Sequence, residues 1–204
     1  MKRILILASA AALALAACHK TDTTAITASD TAASGAVTDQ ASSAAPDGTT
    51  ASSAAASAPA AADFVTMAAA SDMYEIQAAK IAQKRSKNAD IKAFAAMMIT
   101  DHTKSTAAVK KAIAESGRTD LAPPAMLPDD KKAMIDALNS ASDADFDKTY
   151  VAQQVKAHND ALMLMNDYAM AGDTPALKAA AAMIAPTVQM HLDKITMIQA
   201  GMIK

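Results

Sequence analysis

The sequence predicts an all-α protein built on a four-helix bundle, and three observations carry that prediction. Hydrophobic residues make up 52 % of the 204 residues but aromatics only 3 %, and Gly is scarce beyond Gly48. Ala- and Met-rich composition of this kind favours helix. Four long segments beyond residue 62 repeat apolar residues at three- and four-residue spacing, the pattern of a helix face packed on other helices. Two of the three connections between these segments are very short, which makes each flanking pair an antiparallel hairpin.

Residues 1–18 read as an address. Lys2 and Arg3 give a positive start, and the apolar run Ile4 to Leu15 is too short to remain as a membrane span. It ends in Leu15-Ala16-Ala17-Cys18, which resembles the lipobox of bacterial lipoprotein signal peptides. The resemblance implies a diacylglycerol thioether on Cys18, which becomes the first residue of the mature chain. Cys18 is the only cysteine, so no intramolecular disulfide forms. The next residue is His19, not Asp, which by resemblance to Gram-negative sorting directs the protein to the outer membrane. Two or three acyl chains anchor firmly where one would be marginal.

Residues 19–62 read as a disordered acidic linker. The stretch is Ala, Ser, Thr, Asp and Gly with evenly spread Asp22, Asp30, Asp39 and Asp47, and it has no Lys or Arg after Lys20. It carries too little apolar surface to offset its ordering entropy. A flexible coil of this length spans roughly 35 Å. The linker is a tether that holds the domain off the membrane.

Residues 63–204 supply one core. The first helix is expected from Asp63 to Arg85, with Phe64, Met67, Ala68, Ser71, Glu75, Ala78 and Ala82 on its inner stripe. The second starts after Asn88 as N-cap and ends at Gly117. Its stripe is Ile91, Phe94, Ala95, Met98, His102, Ser105, Val109 and Ala112. A long connection from Arg118 to Ala141 holds Pro123, Pro124 and Pro128 and a short extra helix near Asp129 to Asn139. Sequence leaves open whether this connection crosses the bundle. The third long helix begins between Ser142 and Phe146, where Ser142 and Asp145 form a capping box with Asp in place of Glu, and it ends at Gly172. Its stripe is Tyr150, Val151, Gln154, His158, Ala161, Leu162 and Met165. Thr174 and Pro175 open the last helix, whose stripe is Leu177, Ile184, Val188, His191, Ile195, Ile198 and Met202. Pro186 inside this helix removes one hydrogen bond and crowds the carbonyl of Ala182, so a bend is expected there.

Each long helix thus carries one titratable residue near the middle of an apolar stripe: Glu75, His102, His158 and His191. Buried ionisable groups are costly unless paired, neutralised or metal-bound. His191 lies about three residues past its helix midpoint, an offset of roughly 4–5 Å. Either direction of the third long helix keeps the other three near one level.

At these residues the chain resembles the ferritin-like bacterial envelope family known as domain of unknown function 4142. The resemblance covers Asp63 to Ala200. It rests on Glu75-Ile76, on Phe94-Ala95 through Asp101-His102-Thr103, on Phe146-Asp147 with Tyr150 and His158, and on Pro186 with His191-Leu192. It implies a ferritin-like four-helix bundle in the envelope and brings no particular activity.

Three accounts of the central groups follow. In the first, Glu75, His102, His158 and His191 ligate one transition-metal ion, with Zn, Fe, Mn and Cu all suited to nitrogen and oxygen donors. Asp101, about 100° round the helix from His102, and Gln154, one turn before His158, then orient the ligands. No di-iron centre is expected, since Ile99, Val155 and Val188 stand where Glu-x-x-His would place its carboxylates. In the second, the groups form a structural polar network that fixes helix register and responds to pH. In the third, the methionines matter: thioethers suit Cu(I) and absorb oxidants reversibly. The plainer expectation is that Met fills gaps in an aromatic-poor core, since most continue the helix stripes.

Other functions find little support. A net charge of −2 without a basic stripe argues against nucleic acid. No nucleophile elbow and no Gly-rich phosphate loop is present. Tyr74, Tyr150 and Tyr168 lie where redox chemistry near a metal would be possible, but their spacing does not demand it. The expected partner is the membrane, through the lipid on Cys18. Protein partners, a second copy of the chain included, are left open. The functional expectation is therefore a metal-binding or stress-sensing lipoprotein, with a non-enzymatic envelope scaffold as the alternative.

Overall fold

The computed structural model describes residues 58–202. The predicted signal peptide, Cys18 and most of the linker lie outside the described residues. Five helices form the rest, with no strand among the described residues: α1 Ala61–Arg85, α2 Ala89–Ser116, α3 Asp129–Ser140, α4 Phe146–Ala171 and α5 Pro175–Met202. None of them is long and apolar enough to cross a membrane.

Local chemistry sets most of the boundaries. Asn88 Oδ1 accepts from the backbone N–H of Asp90 and Ile91 at 2.8 and 3.2 Å, capping α2. Gly117 ends that helix at φ 67°, in the left-handed region where a side chain is strained. Gly172 ends α4 for a different reason. Its φ is −59°, but a Cβ there would lie 2.6 Å from the Tyr168 carbonyl oxygen and ring. Ser142 Oγ accepts from the Asp145 N–H at 3.2 Å and donates to the Asp145 carboxylate at 2.6 Å, so one half of the expected box forms one turn ahead of α4, and the Asp145 carboxylate bonds the Ser142 hydroxyl in place of its backbone N–H. α5 runs through Pro186 without a break, and Pro186 itself is exposed.

The long connection crosses the bundle. Residue Leu121, just after α2, packs with Phe64 and Ala61 at the start of α1. Leu138 of α3 packs with Tyr74, Ala78 and Phe146 at the other end. Arg85 locks that end: its guanidinium donates to the carbonyls of Leu138 and Ala141, both at 2.7 Å, and lies 4.6 Å over the Phe146 ring. α4 then returns toward the start of α1, where Asp173 accepts from the Ala61 N–H at 3.3 Å. α4 is therefore parallel to α2, and α5 is antiparallel to both. One long crossover and two hairpins make the four-helix bundle, with α3 laid across α1 and α4.

The core is split in two. One half gathers Phe64, Val109, Met165, Tyr168, Leu177 and Val188, with Phe64 stacked on Tyr168 at 3.9 Å between centroids. The other gathers Tyr74, Phe94, Met98, Leu138, Tyr150 and Ile195. Between them lies a layer of buried polar side chains: Asp72, Glu75, His102, Gln154, His158 and His191.

Methionine departs from expectation. Met98 and Met165 are in the core, but Met67, Met126, Met163, Met170, Met183, Met190, Met197 and Met202 are exposed. Met67 and Met202, placed on inner stripes by spacing alone, are among them. The reason is helix geometry, because each of these positions falls at the edge or on the far side of a stripe already filled by Ala, Leu or Ile.

Candidate metal centre

Three histidines meet in the polar layer. His102 comes from α2, His158 from α4 and His191 from α5, each at most 4 % exposed. Their ring centroids are 5.8 Å (His102–His158), 5.6 Å (His102–His191) and 5.4 Å (His158–His191) apart. Each sits on the apolar stripe of its own helix, so packing the three helices brings the rings together without further instruction.

Each ring is held by one nitrogen. His102 Nδ1 lies 2.8 Å from Asp72 Oδ1, and the other Asp72 oxygen accepts from Thr106 Oγ1 at 2.9 Å. His158 Nδ1 lies 2.9 Å from the carbonyl of Gln154, one turn earlier on α4. His191 Nε2 lies 3.2 Å from Asp101 Oδ2 across the α2–α5 interface. A carbonyl or carboxylate oxygen accepts only, so in all three pairs the histidine N–H donates. The proton is thereby fixed on the bonded nitrogen, and the opposite nitrogen of a neutral ring carries a lone pair.

The opposite nitrogens are left without a partner. His102 Nε2, His158 Nε2 and His191 Nδ1 are buried and have no hydrogen-bond partner. One nitrogen from each ring lies within 4.8 Å of the other two. An ion centred among nitrogens that far apart would be no more than about 2.8 Å from each, so ring shifts of under an ångström would reach the 2.0–2.1 Å of a Zn–N bond. Three clustered imidazoles, each with one nitrogen backed by an oxygen acceptor, are the donor arrangement of a three-histidine metal site. A cavity of about 20 Å³, room for roughly one water, borders His102 and His191 beside Ser71 and Ser105.

The fourth predicted ligand lies next to this group and not within it. Glu75 is 1 % exposed, and its Oε1 is 3.9 Å from His158 Nδ1, the nitrogen already bonded to the Gln154 carbonyl. It is not among the groups whose donor atoms converge. Neither of its oxygens has a hydrogen-bond partner, nor do the Tyr150 hydroxyl and the Gln154 amide in the same layer. Of the two residues expected beside the ligands, Asp101 bonds His191 across the interface, and Gln154 bonds His158 through its main-chain carbonyl.

Electrostatics separates the histidines. Burial and the nearby His102 pull His158 down to about 4, and burial pulls His191 down to about 4 against the opposing pull of Asp101. Burial also opposes charge on His102, but the Asp72 hydrogen bond with the charges of Glu75, Asp72 and Asp101 outweighs it and raises the net value. Burial pushes Glu75 up to about 7, with His102 as the main opposing influence. Asp101 is partly desolvated, yet Lys104 and His191 hold it below the ordinary carboxylate range. Two rings are thus neutral donors over most of the pH scale, and His102 is the ring where a proton competes with a metal.

Asp72 and Thr106 were not evident from the sequence. Asp72 is 4 % exposed and stands one turn before Glu75 on α1. A lone Asp beside an apolar stripe reads as a solvated edge, and only the approach of α2 makes it a partner. Its one visible signal was its three-residue spacing from Glu75.

Comparison with known proteins agrees with the fold. The family model for the domain of unknown function DUF4142 matches residues 45–198. The chain belongs to the DUF4142 family. The match begins ahead of α1, inside the stretch read as linker. Among solved structures, this DUF4142 chain is similar to CopM in the Cu(I)-bound form, with a TM-score of 0.58 and 16 % identity over 70 % of this chain and 97 % of that one. At that identity the likeness concerns the fold. No curated protein matches the chain.

Proposed function

We propose that the DUF4142 domain of this chain binds one transition-metal ion on His102 Nε2, His158 Nε2 and His191 Nδ1. The observation that carries the reading is that the three buried rings bring one nitrogen each within 4.8 Å of the other two, and that each ring has one partnerless nitrogen while its opposite nitrogen is tied to an oxygen. Unpaired buried polar atoms are costly, and a metal ion satisfies three at once. Imidazole suits Zn, Cu and Fe among the candidate ions, and a relative in fold was solved with Cu(I), so copper is the first ion to test. Glu75, Asp72 and Asp101 supply negative charge around neutral ligands, and we assign Glu75 to that role in place of coordination.

The same proposal includes the location. A lipid on Cys18 and the acidic tether would hold the domain at the outer membrane, facing the periplasm, where it buffers or reports a metal or a stress. Lys2, Arg3, the apolar run and Leu15-Ala16-Ala17-Cys18 support the anchor.

A second reading rests on the His102–Asp72–Thr106 chain of hydrogen bonds, which would serve equally as a structural network that fixes register. It gives no reason for three partnerless ring nitrogens in one cluster. Elemental analysis of the chain purified without tag or chelator separates the two. About one metal ion per chain, lost in His102→Ala and His158→Ala, is the expected result. A folded chain that takes up no added Cu, Zn, Fe or Mn would leave the network as the account.

A further inference from the structure

The exposed large apolar side chains among the described residues are all methionine. The Leu, Ile, Val, Phe and Tyr side chains of the same helices are buried or half-buried. A surface meant only for apolar docking would not discriminate between Met and Leu or Ile. What Met offers that those residues lack is a polarisable sulfur donor.

One groove gathers two of these sulfurs with that of the half-buried Met97. Met183, Met190 and Met197 are seven residues apart on one face of α5, at steps of roughly 10.5 Å, so no two of them share an ion by themselves. Met97 of α2 supplies the missing partner. A groove between α2 and α5 is lined by Met97, Met190 and Met197, with Phe94 also in its wall. The helices are antiparallel there: His102 and Ser105 border a cavity with Ile184, Val188 and His191, while Asn88 and Asp90 line one with Lys194, Ile198 and Met202. Met97 therefore falls opposite the interval between Met190 and Met197. The unbranched Met side chain has three rotatable bonds with which to close the remaining gap.

The groove also adjoins the histidines. The Phe94 ring makes edge contacts with His158 at 5.9 Å and His191 at 6.4 Å. Met190 precedes His191 on α5. One aromatic ring thus separates the thioethers from the imidazoles.

We propose that Met97, Met190 and Met197 form an outer thioether site for a soft monovalent cation, Cu(I) or Ag(I), which passes the ion to the histidine centre past Phe94. Neutral thioethers prefer such ions over hard or hydrated ones. Asp193 in the groove wall supplies negative charge, and Lys194 opposes it. The transfer is ligand exchange with no change of oxidation state. The transfer rests on the metal reading of the histidines, and the thioether site does not.

Anaerobic Cu(I) titration against a chromogenic chelator tests the proposal on the full chain in a Cys18→Ser background, which removes its only thiol. Combined Met97→Leu, Met190→Leu and Met197→Leu, near-isosteric changes that spare the fold, should abolish one equivalent of Cu(I). The same equivalent should survive in a His102→Ala/His158→Ala variant, so that failure of the histidine reading and failure of the thioether site give different results. Ag(I) added to ¹³C-methyl-methionine protein should shift the Met97, Met190 and Met197 resonances together before those of Met163 and Met170 on α4. A triple-leucine variant that binds as much Cu(I) as its parent, or Ag(I) shifts spread evenly over all exposed methionines, would overturn the site.

Discussion

Asp72 decides which nitrogen His102 offers. Its carboxylate, 2.8 Å from Nδ1, fixes the proton there and leaves Nε2 free. Loss of such an orienting partner costs metal affinity by a factor of about 10–100. Asp72→Ala should therefore weaken the metal in a competition assay by that factor, and Asp72→Asn, whose amide oxygen still accepts, by less. Equal affinity in all three proteins would show that the ring needs no such support. Proton linkage is a second consequence at this scale. His158 and His191 have folded values near 4, against 6.5 unfolded, so their stabilising effect is full above 6.5 and is lost as pH falls toward 4. Glu75 has the opposite sign: raised from 4.5 to about 7, it favours the fold at low pH and loses that effect as pH rises through 7. His102, raised, is protonated in both states below 6.5. Between 4.5 and 6.5 the two histidines together outweigh Glu75, so the unfolded chain binds more protons than the folded one and metal-free stability should fall on acidification. Urea unfolding of chelator-treated protein at several pH values measures the slope, and a slope of opposite sign would contradict the assignment.

At the scale of elements, the helix ends show how similar residues serve different causes. Gly117 is needed for its positive φ, whereas Gly172 is needed for the absence of a Cβ beside Tyr168. Gly172→Ala should push against the Tyr168 carbonyl and ring and destabilise the α4–α5 hairpin by about 1–3 kcal/mol, as overpacking does. Denaturant midpoints of the variant and parent check this, and an unchanged midpoint would mean that the turn yields freely. The inner stripes of α2, α4 and α5 were legible in the sequence almost to the residue, because burial on one face imposes a 3.6-residue period. The exposed methionines were not legible. A Met one position off a stripe satisfies the same spacing, and its side is settled only by the angle at which the neighbouring helix packs.

At the scale of the whole molecule, the three histidines come from three helices, so a bound ion would link α2, α4 and α5 across the divided core. Any ligand that binds only the folded state stabilises it by mass action, by about 2.7 kcal/mol at 100 times its Kd. For a domain of this size that corresponds to a rise in Tm of roughly 5–10 °C. The protein should melt higher with its metal than after chelation, and His158→Ala should show no difference between the two states. A wild-type Tm indifferent to every candidate ion would argue for the structural network. The crossover matters at this scale as well. By running the length of the bundle it sets α4 parallel to α2, and α5 consequently lies antiparallel beside α2, where Asp101 meets His191.

Reading along the chain sufficed for the helices, the caps at Asn88 and Gly117, the short fifth element and the level at which His102, His158 and His191 stand. All of these follow from local spacing, since period, capping and rise per residue act along one helix at a time. Tertiary structure alone decided the path of the crossover, the pairing of Asp72 with His102, the position of Glu75 behind His158 and the groove that collects Met97, Met190 and Met197. Each of these depends on which faces of separate helices meet and at what rotation. A few tens of degrees about a helix axis separate a ligand from a neighbour, and no pattern within one helix specifies that angle.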